Sequence, residues 1–440
     1  MDTWHSMTAA ELGRGIEAGE IDPVALTESH LAAIAEHSFA DRIYARLTED
    51  RARAEAAAAA DRAKRGLRRS PLDGVPISWK DLVDTAGVET ASGSAFLKGR
   101  VPDADAQVLR NATDAGLVCL GKTHMTELAF SGLGLNPITA SPPCVNDHEA
   151  VSGGSSSGAG TSVAFGLAAA GIGSDTGGSV RIPANWNDLV GLKTVSGRLS
   201  LDGVVPLCAR FDTIGPLCRS VEDAGLLMAA MENGAAPSLE GVSLKGRRFG
   251  ILRTVAFDGI EDQPRVAFEN AIERLQAAGA HFEDVEAEEV TEATSLGPTL
   301  FPAEAYATWR HRIDPDGDLM YGPVRARFLQ GKTILAADFI TAWQRLDQLR
   351  LSYQGAVAGF DAIVTPTCPI MPPKAKAVSA DEAYFTERNL MALQNTRIVN
   401  LMGQAALTVP TGVPSCGIML QGTGEERLLR LGAAVEAALG

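Results

Sequence analysis

The chain lacks the features that would send it to a membrane, to nucleic acid or to an oxidising compartment. No stretch of its 440 residues approaches the ~18 consecutive apolar side chains of a spanning helix. The opening MDTWHSMTAAELGRG has no basic-then-apolar order of a secretory signal. A cytoplasmic protein is the expectation. Positive charge is in deficit: 39 Lys and Arg against 54 Asp and Glu leave a net charge of −15, which repels a phosphate backbone and serves solubility. No nucleic-acid or membrane partner is therefore expected. The six cysteines, at 119, 144, 208, 218, 368 and 416, form no CxxC pair and show no His/Cys ligand spacing, so free thiols and no metal site are expected. There are seven histidines, and none falls in the two loops richest in serine and glycine. No low-complexity segment or repeat stands out.

What is present reads as an α/β protein with many tight turns, since 45% of residues are apolar and 45 are glycine. Thr8-Ala-Ala-Glu11 is a capping box, and Asp22-Pro23 opens a second helix running to about Glu36. An Ala/Arg/Glu helix spans 48–65 and closes at Gly66. Further helices are predicted over 105–115, 264–278 and 336–357. Short apolar runs at 117–120, 249–252 and 362–364 read as strands between them. The alternation predicts a twisted, mostly parallel or mixed central sheet covered by helices on both faces.

The chemistry concentrates in residues 151–183, where one serine lies in GGSSSG and another, twenty-four positions later, in SDTGGSVR. Two hydroxyls on glycine-rich backbone suit a nucleophile and its proton relay, and the Gly-Gly before Ser179 can aim amide N–H groups at a developing oxyanion. A pair of ordinary Gly/Ser turns is the competing reading. With no histidine in either loop, the base is sought elsewhere. Lys80, in GVPISWKDLVDTAG, stands beside Ile77, Trp79 and Leu82 after a proline turn. Burial there disfavours the ammonium form and yields a neutral amine that accepts a proton. A solvated surface lysine is the alternative.

Three other motifs compete. Residues 116–123 match GxxxxGK[ST], with Lys122 as the phosphate-binding lysine. The surrounding order is helix, glycine, then strand, whereas a phosphate loop needs strand, loop, then helix. Gly154-Ser-Ser156-Ser-Gly158 matches the G-x-S-x-G nucleophile elbow, but the preceding PPCVNDHEAVS reads as loop and not as an apolar strand. Gly171-Ile-Gly173 begins a dinucleotide fingerprint and then has Thr176 in place of its third glycine.

Taken together, GVPISWKD, GKTHMTEL, GGSSSG, GSDTGGSVRIPA, GLKTVSGRLS, DTIGPLCRSVEDA and DAIVTPTCPIMPP resemble the amidase signature family of serine hydrolases over nearly the whole chain. The resemblance implies a single amidase signature domain over 1–440: N-terminal helices to about 66, a catalytic core to about 230, a variable substrate-side region to about 360, and the rest of the core after it. It implies a Ser-cisSer-Lys triad, here Ser179, Ser155 and Lys80, with a cis peptide at Gly154–Ser155. It implies hydrolysis of a linear carboxamide through an acyl-enzyme on Ser179, with the oxyanion on the backbone N–H groups of Thr176, Gly177, Gly178 and Ser179. No cofactor is implied. A small-molecule amide is the expected partner, and a homodimer is among the assemblies admitted.

Substrate-side candidates are fewer. Ala129 and Ser131, just after GKTHMTEL, are expected to line the acyl pocket. Arg181 is a candidate anion contact or a structural cation. Tyr306 and Arg310, one helical turn apart, are candidates to reach the site from the variable segment, with a packed tyrosine and a solvated arginine as the favoured alternative. A glutamine-hydrolysing component of a tRNA-dependent amidotransferase is the alternative function. The glutamine that such components carry after this arginine is Ile182 here, and VPSCGIMLQG stands where a GLPVGLQ-like segment is expected. Both departures favour a stand-alone amidase.

Overall fold

Apolar strands set the architecture of the computed structural model, which describes residues 3–440. Eleven strands form one sheet: β1 (Tyr44–Leu47), β2 (Pro76–Lys80), β3 (Val118–Thr123), β4 (Ala170–Ser174), β5 (Val190–Lys193), β6 (Ile214–Cys218), β7 (Arg248–Leu252), β8 (His281–Val285), β9 (Ala362–Pro366), β10 (Ala405–Pro410) and β11 (Gly417–Gly422). Their order is β1-β3-β2-β4-β6-β5-β10-β11-β9-β7-β8. Parallel pairing is confined to β3-β2-β4 and to β9-β7-β8. The other neighbours are antiparallel, so the sheet is mixed.

β2, β3, β4, β5, β6 and β9 are buried at every residue, as strands covered on both faces must be. Ile77, Trp79, Ile172, Leu192, Leu407 and Leu420 all join the main apolar cluster. Each such side chain contributes about 1.5–3 kcal/mol of transfer free energy. Helices flank the sheet where the residue patterns place them: Pro23–Glu36, Glu49–Lys64, Gln107–Asp114, Asp262–Ala277 and Ala336–Val357. The Thr8 capping box is present, with the Glu11 N–H donating to Thr8 Oγ1 at 3.1 Å.

Two long helices escape sequence reading, apart from one turn at 306–310. Glu288–Asp316 contains Pro298, Pro302 and Pro315, which read as stops because each removes an N–H from the helical ladder. Glu382–Leu401 carries weak amphipathic contrast because both its apolar and its polar residues are buried, Asn389, Asn395, Thr396 and Asn400 among them. Both helices build the cavity described next. Among the described residues, no helix is long and apolar enough to cross a membrane, and all six cysteines are free and buried.

Candidate active site

β2 and β4 lie side by side and parallel, with Trp79 opposite Ile172, so their C-terminal ends open onto one crevice. Lys80 ends the first strand and Ser174 ends the second. The Lys80 Nζ donates to Ser155 Oγ at 2.7 Å and to Ser174 Oγ at 2.8 Å, and the residue is wholly buried. Ser155 precedes the helix Ser157–Ala164, and its peptide with Gly154 is cis. The turn is tied down on every side. Gly154 N–H donates to Gly132 O at 2.8 Å, Thr126 N–H to Ser155 O at 3.1 Å, and Ser156 N–H to Ser179 O at 3.2 Å. The last bond joins the two serine loops directly. A Cβ on Gly154 would stand 2.6 Å from Gly134 N and 2.7 Å from Thr126 Oγ1, so only glycine fits this approach.

Burial pushes the Lys80 ammonium down to about 7, against the opposing pull of Asp175 and Asp212. Neither carboxylate forms an ion pair with it. Asp175 is spent on its own loop: it accepts from Gly178 N–H at 2.8 Å, Val180 N–H at 3.1 Å, Arg181 Nε at 3.0 Å and Arg181 Nη2 at 2.9 Å. Burial raises the Asp175 carboxyl, but Arg181 outweighs it and holds the group at about 2. Asp212 accepts from Thr176 Oγ1 at 2.5 Å and from Leu207 N–H at 2.9 Å. Burial likewise brings Lys193 to about 7. Its Nζ donates to the carbonyls of Thr194 at 2.8 Å and Gln404 at 3.0 Å. Carbonyls have no proton to give, so Lys80 alone of the two is wired to hydroxyls.

A cavity of about 370 Å³ opens over this floor and is lined by Ala129, Ser131, Thr176, Gly177 and Ser179. Ser179 Oγ makes no hydrogen bond among the described residues. The N–H groups of Thr176, Gly177 and Ser179 likewise have no protein acceptor there. Gly178 differs: its N–H is committed to Asp175 Oδ1, which removes it from the expected oxyanion donors. It is glycine for another reason, since φ is 138° and a Cβ would meet Thr396 Oγ1 at 2.0 Å. Ala129 sits in left-handed backbone at φ 61°, next to Leu128 at φ 44°, a conformation that non-glycine residues rarely take. Ser131 Oγ donates to Asn389 Oδ1 at 3.0 Å.

As lining residues Arg181, Tyr306 and Arg310 are corrected, each taking its structural alternative. Arg181 does not line the cavity: it is fully buried, paired with Asp175, and donates to Thr396 O at 2.8 Å and Asn400 Oδ1 at 2.6 Å. Tyr306 turns away, its hydroxyl donating to Asp314 at 2.9 Å while its Cβ packs where a Gly331 side chain would be. Arg310, one turn on, is exposed and lines no part of the cavity. The arginines that do line it are Arg327, on the helix Gly322–Leu329, and Arg397, on Glu382–Leu401. Sequence reasoning missed both. Neither sits in a motif, and only the folding of distant helices over Ser179 brings them there.

The competing motifs fall away on geometry. Gly121-Lys122-Thr123 lies within β3, and the Lys122 Nζ is buried against Asp81 Oδ1 at 3.3 Å and Thr90 Oγ1 at 2.9 Å, so no phosphate loop exists. Ser156 Oγ bonds Ser174 O and Ser174 N–H, both at 3.2 Å, which makes it a brace between loop and strand. No histidine lines the cavity, and among the described residues no group of three or more His, Cys, Asp or Glu could hold a metal ion.

Comparison with known proteins agrees. The amidase family model matches residues 25–424. A 2-amino-5-chloromuconic acid deaminase of Comamonas testosteroni is 34% identical, with 99% of this chain and 96% of that protein covered. One of the glutamyl-tRNA(Gln) amidotransferase subunits, from a Synechococcus strain, is 32% identical over 94% of this chain and 92% of its own. A solved structure described as an amidase superposes with a TM-score of 0.89 at 31% identity, covering 99% of this chain and all of the other. The chain belongs to the amidase signature family, whose members hydrolyse amide C–N bonds.

Proposed function

We propose that Ser179 is the nucleophile, Ser155 the proton relay and Lys80 the base of a linear-amide hydrolase. The observation that carries this reading is the 2.7 Å bond from a buried, carboxylate-free lysine to a serine hydroxyl on the loop bonded to Ser179. Neutral Lys80 takes the Ser155 proton, Ser155 takes that of Ser179, and Ser179 Oγ attacks the carbonyl carbon. The oxyanion rests on the N–H groups of Thr176, Gly177 and Ser179. Each such donor contributes about 3 kcal/mol to the barrier reduction. The proton returns through Ser155 to the leaving nitrogen, the C–N bond breaks, and ammonia or an amine departs. Water then enters by the same relay and releases the carboxylate.

The similarity to amidotransferase subunits keeps a second reading, hydrolysis of glutamine within a complex. Ile182, where those proteins carry glutamine, favours a stand-alone enzyme. Purified protein without any partner is expected to release ammonia from simple amides and to lose that activity in Ser179→Ala. Ammonia release from glutamine alone, and only with an added partner, would support the amidotransferase reading instead.

A further inference from the structure

Two cations on the cavity wall have no counter-charge. Arg327 and Arg397 both line the cavity that holds Ser179. Neither forms an ion pair or donates a hydrogen bond among the described residues. The Arg327 Nε and one terminal nitrogen of Arg397 are buried without a partner. Their contacts are aromatic: the Arg327 guanidinium stands 4.5 Å from the Phe130 ring centroid, and that of Arg397 lies 5.9 Å from the Phe301 centroid. Burial and the neighbouring Arg397 lower Arg327 to about 9, and burial lowers Arg397 to about 10, so both remain charged at neutral pH.

Buried charges in folded proteins are paired, because leaving water without a partner is costly and a ring face offsets only part of the loss. The contrast with Arg181 is direct: that arginine is fully buried and has Asp175, whereas these two are half-buried, each with a buried nitrogen left unpartnered. Two unpaired, mutually repelling guanidiniums inside one cavity are a standing demand for an anion. The remaining wall is apolar, including Leu207, Pro298, Phe301 and Leu393. At about 370 Å³ the space is at the small end of ligand cavities.

We infer that Arg327 and Arg397 bind a carboxylate of the substrate, so that the amide hydrolysed is an acidic one: a short aliphatic chain with a carboxamide at Ser179 and a free carboxylate between the two guanidiniums. The planar fork of each arginine matches carboxylate geometry. The apolar wall fits the methylenes between the two ends. This inference rests on the reading of Ser179 as nucleophile.

The test pairs acidic with neutral amides of equal length: succinamate with butanamide, glutaramate with pentanamide, adipamate with hexanamide. For at least one pair, kcat/KM for the acidic amide is expected to exceed that for the neutral one by on the order of 100-fold. Arg327→Met and Arg397→Met should each collapse that ratio, and Arg327→Lys should keep part of it. Calorimetry on Ser179→Ala protein separates binding from chemistry: succinate, glutarate or adipate should bind, and adding Arg397→Met should abolish binding. Thermal midpoints of the Met variants should not fall, because each removes an unpaired, half-buried charge. Equal kcat/KM within all three pairs, or Met variants that lose stability while keeping the ratio, would overturn the inference and leave the amidase reading intact. Dicarboxylate binding at the arginines with no amide turned over would uphold the carboxylate site and sink the reading of Ser179.

Discussion

The floor and the wall of the cavity are built on opposite terms. On the floor, the charged groups meet matched partners, and only Ser179 Oγ and the Thr176, Gly177 and Ser179 N–H groups stay open for substrate: Asp175 alone takes two backbone N–H groups and three side-chain N–H donors, and it pins the loop that carries Ser179. The wall comes from Glu288–Asp316, Gly322–Leu329 and Glu382–Leu401, and there two arginines are left without acceptors. Two links join them: the helix that carries Arg397 is bonded to the floor through Asn389, Thr396 and Asn400, and the helix that carries Arg327 through one carboxylate. Glu127, beside Ala129, accepts from Tyr321 N–H at 2.9 Å just where the Arg327 helix begins. The difference teaches that reactivity and selectivity reside in separate pieces of chain. A preorganised floor costs nothing to reorganise during reaction, while an unsatisfied wall waits for the group it binds.

Four perturbations can break that division, and the largest lies on the floor. Ser179→Ala is expected to lower kcat by about 10⁵–10⁶-fold with an unchanged circular dichroism spectrum, because the covalent step is gone. A loss under tenfold would move the nucleophile elsewhere. Lys80→Met should cost about 10²–10⁴-fold, the range of a general base. Retention of most activity would show that the buried amine is structural, as Lys193 is.

The third perturbation is pH. Only neutral Lys80 starts the relay, and burial sets its titration near 7. So kcat/KM for a neutral amide should rise about tenfold per unit below that point and level off above it. A flat profile between pH 5 and 9 would remove Lys80 from the mechanism. The smallest effect belongs to the carboxylate link. Glu127→Gln weakens one tie between floor and wall, and KM should rise by less than about tenfold while the pH profile stays in place. A shifted profile would mean that wall and floor are not separable.

The floor was legible in the sequence and the wall was not, for physical reasons. Catalytic loops need glycine for close approach and serine for chemistry, so GGSSSG and SDTGGS carry a dense local signature. Lys80 could be read because apolar neighbours along one strand already imply burial. The helices at 23–36, 49–64 and 336–357 were marked by caps or composition. Gly178 misled because its spacing fits an oxyanion donor while its N–H is claimed by Asp175, a partner only the folded turn reveals. Tyr306 and Arg310 could be read only as a choice between lining the site and the packed tyrosine and solvated arginine that the structure has. They lie on a helix that does reach the cavity, but through Pro298, Phe301 and Pro302, and three prolines hide its phase. Arg327 and Arg397 are seventy residues apart in sequence and acquire meaning only when two helices converge on Ser179.

The most direct test of the floor is a trapped intermediate. Protein mixed with p-nitrophenyl butyrate and quenched in acid within milliseconds should gain the mass of one butyryl group, mapped by peptide sequencing to Ser179 and absent from Ser179→Ala. An adduct on Ser155 or Ser156, or a burst of p-nitrophenol with no adduct on Ser179, would contradict the assignment.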